Sequence, residues 1–158
     1  MPKQVPAVGD VFLVELSDGG FAVGHVLETR PILMNSFTCA FFDKRVSSAD
    51  EVDFPLVKSM VLSCQFVTRD AFSRGQWRRV FNVAPRIEDA DLPHRDKEHT
   101  GWVGAKVISS GIMTSFLNAC FGLGSWTEMK DPRYYDGLLF GGRQRPNLAR
   151  VESSAGGA

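Results

Sequence analysis

The stretch Gly9–Leu27, GDVFLVELSDGGFAVGHVL, decides the fold. Two runs of strand-forming residues meet at Ser17-Asp18-Gly19-Gly20, and Asp-Gly between apolar runs is the strongest short-range signal for a β-hairpin. A two-residue turn at Asp18-Gly19 predicts that Leu16 faces Phe21, Val14 faces Val23 and Phe12 faces His25. Side chains alternate along a strand, so these residues share one face, and all but His25 are apolar. The opposite face then carries Val11, Leu13 and Glu15 against Ala22, Gly24 and Val26. Ala22 and Gly24 are small, which suits a sharp bend or the close approach of another segment. The hairpin reads as a folding nucleus, not an active site.

Beyond it, Arg30-Pro31 predicts a break, because proline removes an amide donor and biases its predecessor to extended geometry. Ile32–Phe42 reads as a third strand, with Phe37, Cys39 and Phe41 alternating against Thr38, Ala40 and Phe42, ending at Asp43-Lys44-Arg45. Ser47–Phe54 is an acidic polar loop. A fourth strand is expected within Val57–Thr68, a turn at Phe72–Gly75, and a fifth strand over Trp77–Val83. The segment 84–100 is dense in charge, carries Pro85 and Pro93, and reads as a long surface loop, either functional or mobile. Gly101–Ser109, with Trp102, Val103, Val107 and Ile108, predicts a sixth strand.

The last third turns helical. Met113, Phe116, Leu117, Cys120 and Phe121 recur at helical spacing as one apolar stripe, with Ser109 or Ser110 placed to cap the N-terminus and Gly122 to stop the helix. Asp131-Pro132 opens a second, shorter helix through Tyr135, Leu138 and Leu139, weakened by Gly137 and closed by Gly141-Gly142. Strands first and helices last predict an α+β fold: a strongly bent antiparallel sheet or small SH3-like barrel of five to six strands, with two C-terminal helices packed on one side. Residues 1–150 are expected to form a single domain and 151–158 a flexible tail.

Composition narrows the function. The chain has 158 residues, 44% hydrophobic and 23% charged, with no net charge, so no global field recruits nucleic acid or an anionic membrane. The distribution is uneven: residues 1–60 carry five basic and eight acidic side chains, 61–99 seven and six, and 100–158 six and four. Cys39, Cys64 and Cys120 are an odd number in apolar contexts, which points to reduced, buried thiols rather than a disulfide framework. MPKQVPAVG lacks an apolar secretory core and no run reaches membrane-spanning length, so a cytoplasmic protein is expected. No internal repeat at solenoid periods is visible.

No residue set carries chemistry. His94 and His99 flank charged residues in a loop without the partners a metal would need, and no cysteine pair has metal-finger spacing. His25 reads as a core-edge histidine; a pairing with Cys39 or Cys64 stays open as an enzymatic alternative, although apolar neighbours would raise a thiol pKa. Gly122-Leu123-Gly124 and Gly141-Gly142 sit in no βαβ unit, so they make no dinucleotide fingerprint. Arg78 and Arg79 are adjacent on one strand and must point to opposite faces, which weakens a nucleic-acid stripe. Trp77, Trp102 and Trp126 read as packing residues. Neither a catalytic residue, a cofactor nor a metal is expected. The remaining candidates are acidic: Asp50, Glu51 and Asp53 together, with Glu28, as a negative patch for a basic partner.

Gly9-Asp10-Val11-Phe12, the turn Asp18-Gly19 and Phe21-Ala22-Val23-Gly24-His25-Val26-Leu27 resemble the start of immunity protein 26 of bacterial polymorphic toxin systems. In that family a G-D-x-F strand leads through a D-G turn into an aromatic-x-x-G-x-V-L strand. Phe37–Asp43 (FTCAFFD), Gly75-Gln76-Trp77 and Gly122-Leu123-Gly124-Ser125-Trp126 echo it further, collinear to roughly residue 140. The resemblance implies a non-enzymatic cytoplasmic protein that binds and neutralises a cognate toxin domain, commonly a nuclease, by occlusion. Alternatives from other classes are a nucleic-acid-binding small β-barrel and an enzyme using His25.

Overall fold

The computed structural model describes residues 3–30, 35–88 and 91–151. Six strands form one open sheet: β1 (Asp10–Glu15), β2 (Phe21–Glu28), β3 (Ser36–Val46), β4 (Val61–Thr68), β5 (Trp77–Asn82) and β6 (Val107–Ile108). Their order is β5-β1-β2-β3-β4-β6, antiparallel except where β6 runs parallel to β4. Of the two expected forms, the bent sheet is the one adopted: β5 and β6 are its two edges and it does not close into a barrel. Register shifts at Val11/Phe12, Ala22/Gly24, Val26/Glu28 and Phe41/Phe42 bend it.

The hairpin forms where expected, with a register one residue away from the predicted one. Leu16 N–H donates to Gly20 O (2.8 Å) and Gly19 N–H to Leu16 O (3.0 Å), so three residues, not two, make the turn. Gly19 takes φ +87°, the left-handed conformation that follows a type I turn in three-residue hairpins. Glu15 therefore opposes Phe21, Val14 opposes Ala22, Leu13 opposes Val23, Phe12 opposes Gly24, and Val11 opposes His25. A one-residue slip swaps the faces of one strand against the other. Phe12, Val14 and Leu16 thus join Ala22 and Val26 on one face, while Val11 and Leu13 join Val23 on the other. Gly24 explains the choice: the Phe12 ring lies directly over it, and an added Cβ would sit 2.3 Å from Phe12 Cζ.

Both faces are covered. Against the first pack α1 (Asp70–Ser73), α2 (Ser110–Cys120) and the segment carrying Trp126, Tyr135 and Leu138. The helix α2 is capped as predicted, Ser109 Oγ accepting from Ile112 N–H at 3.1 Å, and Gly122 ends it at φ +78°. The second C-terminal helix is replaced by two 3₁₀ turns, Tyr135–Leu138 and Phe140–Gly142. Gly137, Gly141 and Gly142 weaken an α-helix there, whereas a 3₁₀ turn still puts Tyr135 and Leu138, three residues apart, on one buried side.

The second face is covered by Val52 and Leu56 of the acidic loop and its continuation, and by Val80, Val83, Ile87 and Leu92. The charged segment 84–100 is therefore a cover for the sheet. Arg95 anchors it, donating to Glu28 at 2.8 Å and lying over the Trp102 ring at 5.2 Å, while Trp102 meets Phe66 edge-on. Residues Arg95–Thr100 form a 3₁₀ helix, and the sixth strand shrinks to Val107–Ile108. The third strand continues through Asp43-Lys44-Arg45 to Val46 instead of ending there. The expected turn at Phe72–Gly75 forms, Gly75 N–H donating to Phe72 O at 3.0 Å, and overlaps the end of α1, which begins two residues earlier at Asp70. The predicted break at Pro31, the start at Ile32 and all of the 151–158 tail except Val151 lie outside the described residues.

Candidate partner-binding surface

The three acidic residues of the loop stay together and exposed. Ala49–Glu51 form a 3₁₀ turn after β3, where Glu51 Oε1 accepts from Ser47 N–H at 3.0 Å. Asp53 pairs with Lys44 at 3.2 Å, and Asp50 is exposed. Glu28 is not part of this cluster. Phe21 pairs with Val46 at the loop end of β3, and Glu28 pairs with Thr38 at the other end. Seven residues of strand, about 23 Å at roughly 3.3 Å each, separate them. Glu28 is also committed to Arg95, with both side chains a quarter exposed or less.

Next to the acidic loop the structure exposes two aromatic rings that the sequence reading passed over. Phe54 is 43% exposed and Phe81 37% exposed. Their rings meet edge to face, centroids 5.4 Å apart at 88°. The sequence signal was the apolar Phe54 directly after the acidic run and the apolar Phe81 in the strand that also carries Arg78 and Arg79. Behind them, residues 54–56 and 83–86 line an open pocket of about 470 Å³ with His25 in its wall.

His25 is 1% exposed, and its Nε2 donates to Val83 O at 2.9 Å. Its Nδ1 has no partner among the described residues. Burial lowers the imidazole pKa below the ordinary histidine value, so the ring is held neutral. It does not form a dyad with either thiol. Cys39 faces the α2 side, whereas Cys64 lies two strands from His25 along the row His25–Ala40–Cys64. At about 4.8 Å per strand that is a separation of roughly 10 Å. Burial also pushes the Cys64 thiol up to about 12 and raises Cys39 and Cys120. Among the described residues no carboxylate lines the His25 cavity.

The other sequence candidates have structural roles. Arg78 opposes Leu13 and Arg79 opposes Phe12, so they occupy opposite faces, and Arg79 reaches Asp10 at 3.4 Å. Trp77 and Trp126 are buried, with Trp126 Nε1 donating to Asp136 at 2.8 Å. His94 Nε2 accepts from Lys106 N–H at 3.2 Å. The outer edge of β5 is covered by Gln4, which donates to Trp77 O at 2.8 Å and accepts from Arg79 N–H at 3.1 Å. Among the described residues no group of three or more His, Cys, Asp or Glu side chains is placed to share a metal ion. Nor is any helix there long and apolar enough to cross a membrane.

The sequence profile of immunity protein 26 matches residues 7–102. The chain belongs to the immunity protein 26 family. Within this immunity protein, the match takes in β1–β5, the acidic loop, the aromatic pair and the charged cover through Trp102. It ends before β6, α2 and the 3₁₀ turns, short of the extent over which the opening resemblance runs. No curated protein and no solved structure matches the chain.

Proposed function

We propose that this chain binds a cognate toxin domain in the cytoplasm and neutralises it by covering the toxin's active site or substrate path, with the 50–53 loop at the contact. The observation that carries this reading is the family match over residues 7–102. Three buried free thiols agree with a reducing compartment. Occlusion calls for an interface of about 1,600 Å² in total, which this surface would share with its surroundings. The partner is a nuclease in this reading; nucleases hold a phosphate backbone, so the approaching surface is basic and the exposed Asp50, Glu51 and Asp53 complement it. Glu28 is left out of the contact because Arg95 already holds it.

Co-expression with the toxin domain encoded in the adjacent reading frame tests inhibition: this chain should restore growth, and persistent toxicity despite soluble expression of both overturns the proposal. Reversing the three acids (Asp50→Lys, Glu51→Lys, Asp53→Lys) tests the contact. Steering is worth on the order of 10–1000-fold in association rate at low salt. A slowing of at least about tenfold that fades with salt is expected. An unchanged association rate places the toxin on another surface.

A further inference from the structure

Among the described residues, the pocket lined by residues 54–56 and 83–86 carries one charge, the guanidinium of Arg86. The Arg86 side chain is exposed and makes no hydrogen bond or ion pair with another described residue. His25 adds no second charge to the wall, since burial keeps its ring neutral. Asp50, Glu51 and Asp53 stand outside the lining, and Asp53 is held by Lys44 at 3.2 Å. The rest of the lining is apolar, and three of its members are rings: Phe54, Pro55 and Pro85, beside Leu56 and Val83. Phe54 is left 43% exposed, so its ring still has surface to cover.

We propose that this pocket seats one aromatic side chain of the bound partner, its ring among Phe54, Pro55 and Pro85 and its π face toward Arg86. The inference rests on the partner-binding reading above and adds the chemistry of one anchor to it. An aromatic ring answers both features of the lining: it fills apolar walls, and its negative face attracts a guanidinium. A lysine or arginine would set its own charge against Arg86, with no carboxylate in the lining to hold it. An aspartate or glutamate would meet Arg86 at an exposed rim, where an ion pair is worth little, and would lose hydration against the apolar walls. An aliphatic side chain would suit those walls and gain nothing from Arg86. Asp53 directly precedes Phe54, so the ring would sit beside the basic groups that the acidic loop attracts. An aromatic anchor in a desolvated pocket, ringed by polar contacts, is the arrangement in which a few residues dominate binding energy.

The test uses the whole chain and the toxin domain from the adjacent reading frame, with affinity read by surface plasmon resonance. Phe54→Ala removes one wall of the pocket and should raise Kd at least tenfold. Arg86→Met keeps the length of an exposed side chain and removes its charge, so the melting curve should not move. Its Kd should rise about threefold to thirtyfold, the range of a cation–π contact. Long-range charge alone predicts the reverse, because a basic toxin surface would bind tighter once a cation is removed. Each phenylalanine, tyrosine and tryptophan of the toxin is then replaced by alanine. One of them should cost at least tenfold against the unaltered chain and almost nothing against the Phe54→Ala variant. Wild-type affinity for Phe54→Ala, or equal or tighter binding by Arg86→Met, overturns the inference and leaves the proposed function standing. So does coupling of Phe54 to a charged or aliphatic toxin residue in place of an aromatic one. No binding by the unaltered chain removes the proposed function, and this inference with it.

Discussion

Gly24→Ala tests the packing logic of the sheet. The added Cβ would lie 2.3 Å from Phe12 Cζ, 2.5 Å from Cε2 and 2.9 Å from Cε1. Carbon pairs rest at about 3.5–4.0 Å, so the ring would have to withdraw by more than an ångström. It has nowhere to go: Trp77 is stacked on it at 5.3 Å, Phe72 and Phe41 meet it edge-on at 5.6 and 5.9 Å, and Phe37 lies at 6.3 Å. Overpacking of a tight core costs about 1–3 kcal/mol. The smaller entropy of an alanine-containing unfolded chain offsets about 0.4–1 kcal/mol. A net loss of about 1–2 kcal/mol follows, or roughly 2–8 °C in Tm for a chain of this size. Urea denaturation followed by tryptophan fluorescence measures it. Phe12→Leu supplies the control, because removing the ring tip opens the space above Gly24. In that background Gly24→Ala should cost almost nothing, a coupling of about 1–2 kcal/mol between the two sites. Simple additivity, or a Gly24→Ala variant as stable as the parent, refutes the reasoning.

Arg95→Ala should cost about 2–3 kcal/mol, from a partly buried charge-assisted bond and a cation–π contact. Hydrogen exchange should quicken over 91–108 well before it does in β1–β3; a uniform rise contradicts the anchor role. His25 and His94 both have imidazole pKa values lowered by burial from the ordinary 6.5. The unfolded chain therefore takes up protons first as pH falls, so stability is full above about 6.5 and declines below it. Chemical denaturation from pH 7.5 to 5 should show this slope, reduced in His25→Gln. The three thiols should resist Ellman's reagent at pH 8 in the folded protein and react on denaturation, since burial raises all of them. Rapid labelling of any one in the native state contradicts its burial.

Much of the fold was legible because its signals are local. Alternation marked β1–β5, and the apolar stripe with Ser109 and Gly122 bounded α2 almost to the residue. The hairpin register was not, because Asp18-Gly19 suits both a two-residue turn and the type I turn plus left-handed glycine that occurs. Choosing between them required knowing that Phe12 lies over Gly24, a cross-strand fact. The C-terminal turn at Tyr135 shows the same limit: its inward residues were clear, and its 3₁₀ winding was not. At the surface, Asp50, Glu51 and Asp53 were identified as neighbours because they are neighbours in sequence. Phe54 and Phe81 meet only through the chain's return along β5, which no spacing rule reveals. Glu28 was grouped with the loop by charge alone, and the strand's length separates them.

One half of the interior has a different provenance from the other. The residues that roof the Phe12 side, among them Phe116, Trp126 and Tyr135, come from beyond residue 102, where the family match stops. They are riveted to the shared strands through Ser63 Oγ, which donates to Leu138 O, and through Ser110 N–H, which donates to Thr68 Oγ1. A chain cut at residue 102 would leave that wall only α1 for cover, an oily plane demanding a substitute. The same five strands without this ending would need other material to shelter that wall, and such material would lie across the sheet from the acidic loop and the two rings.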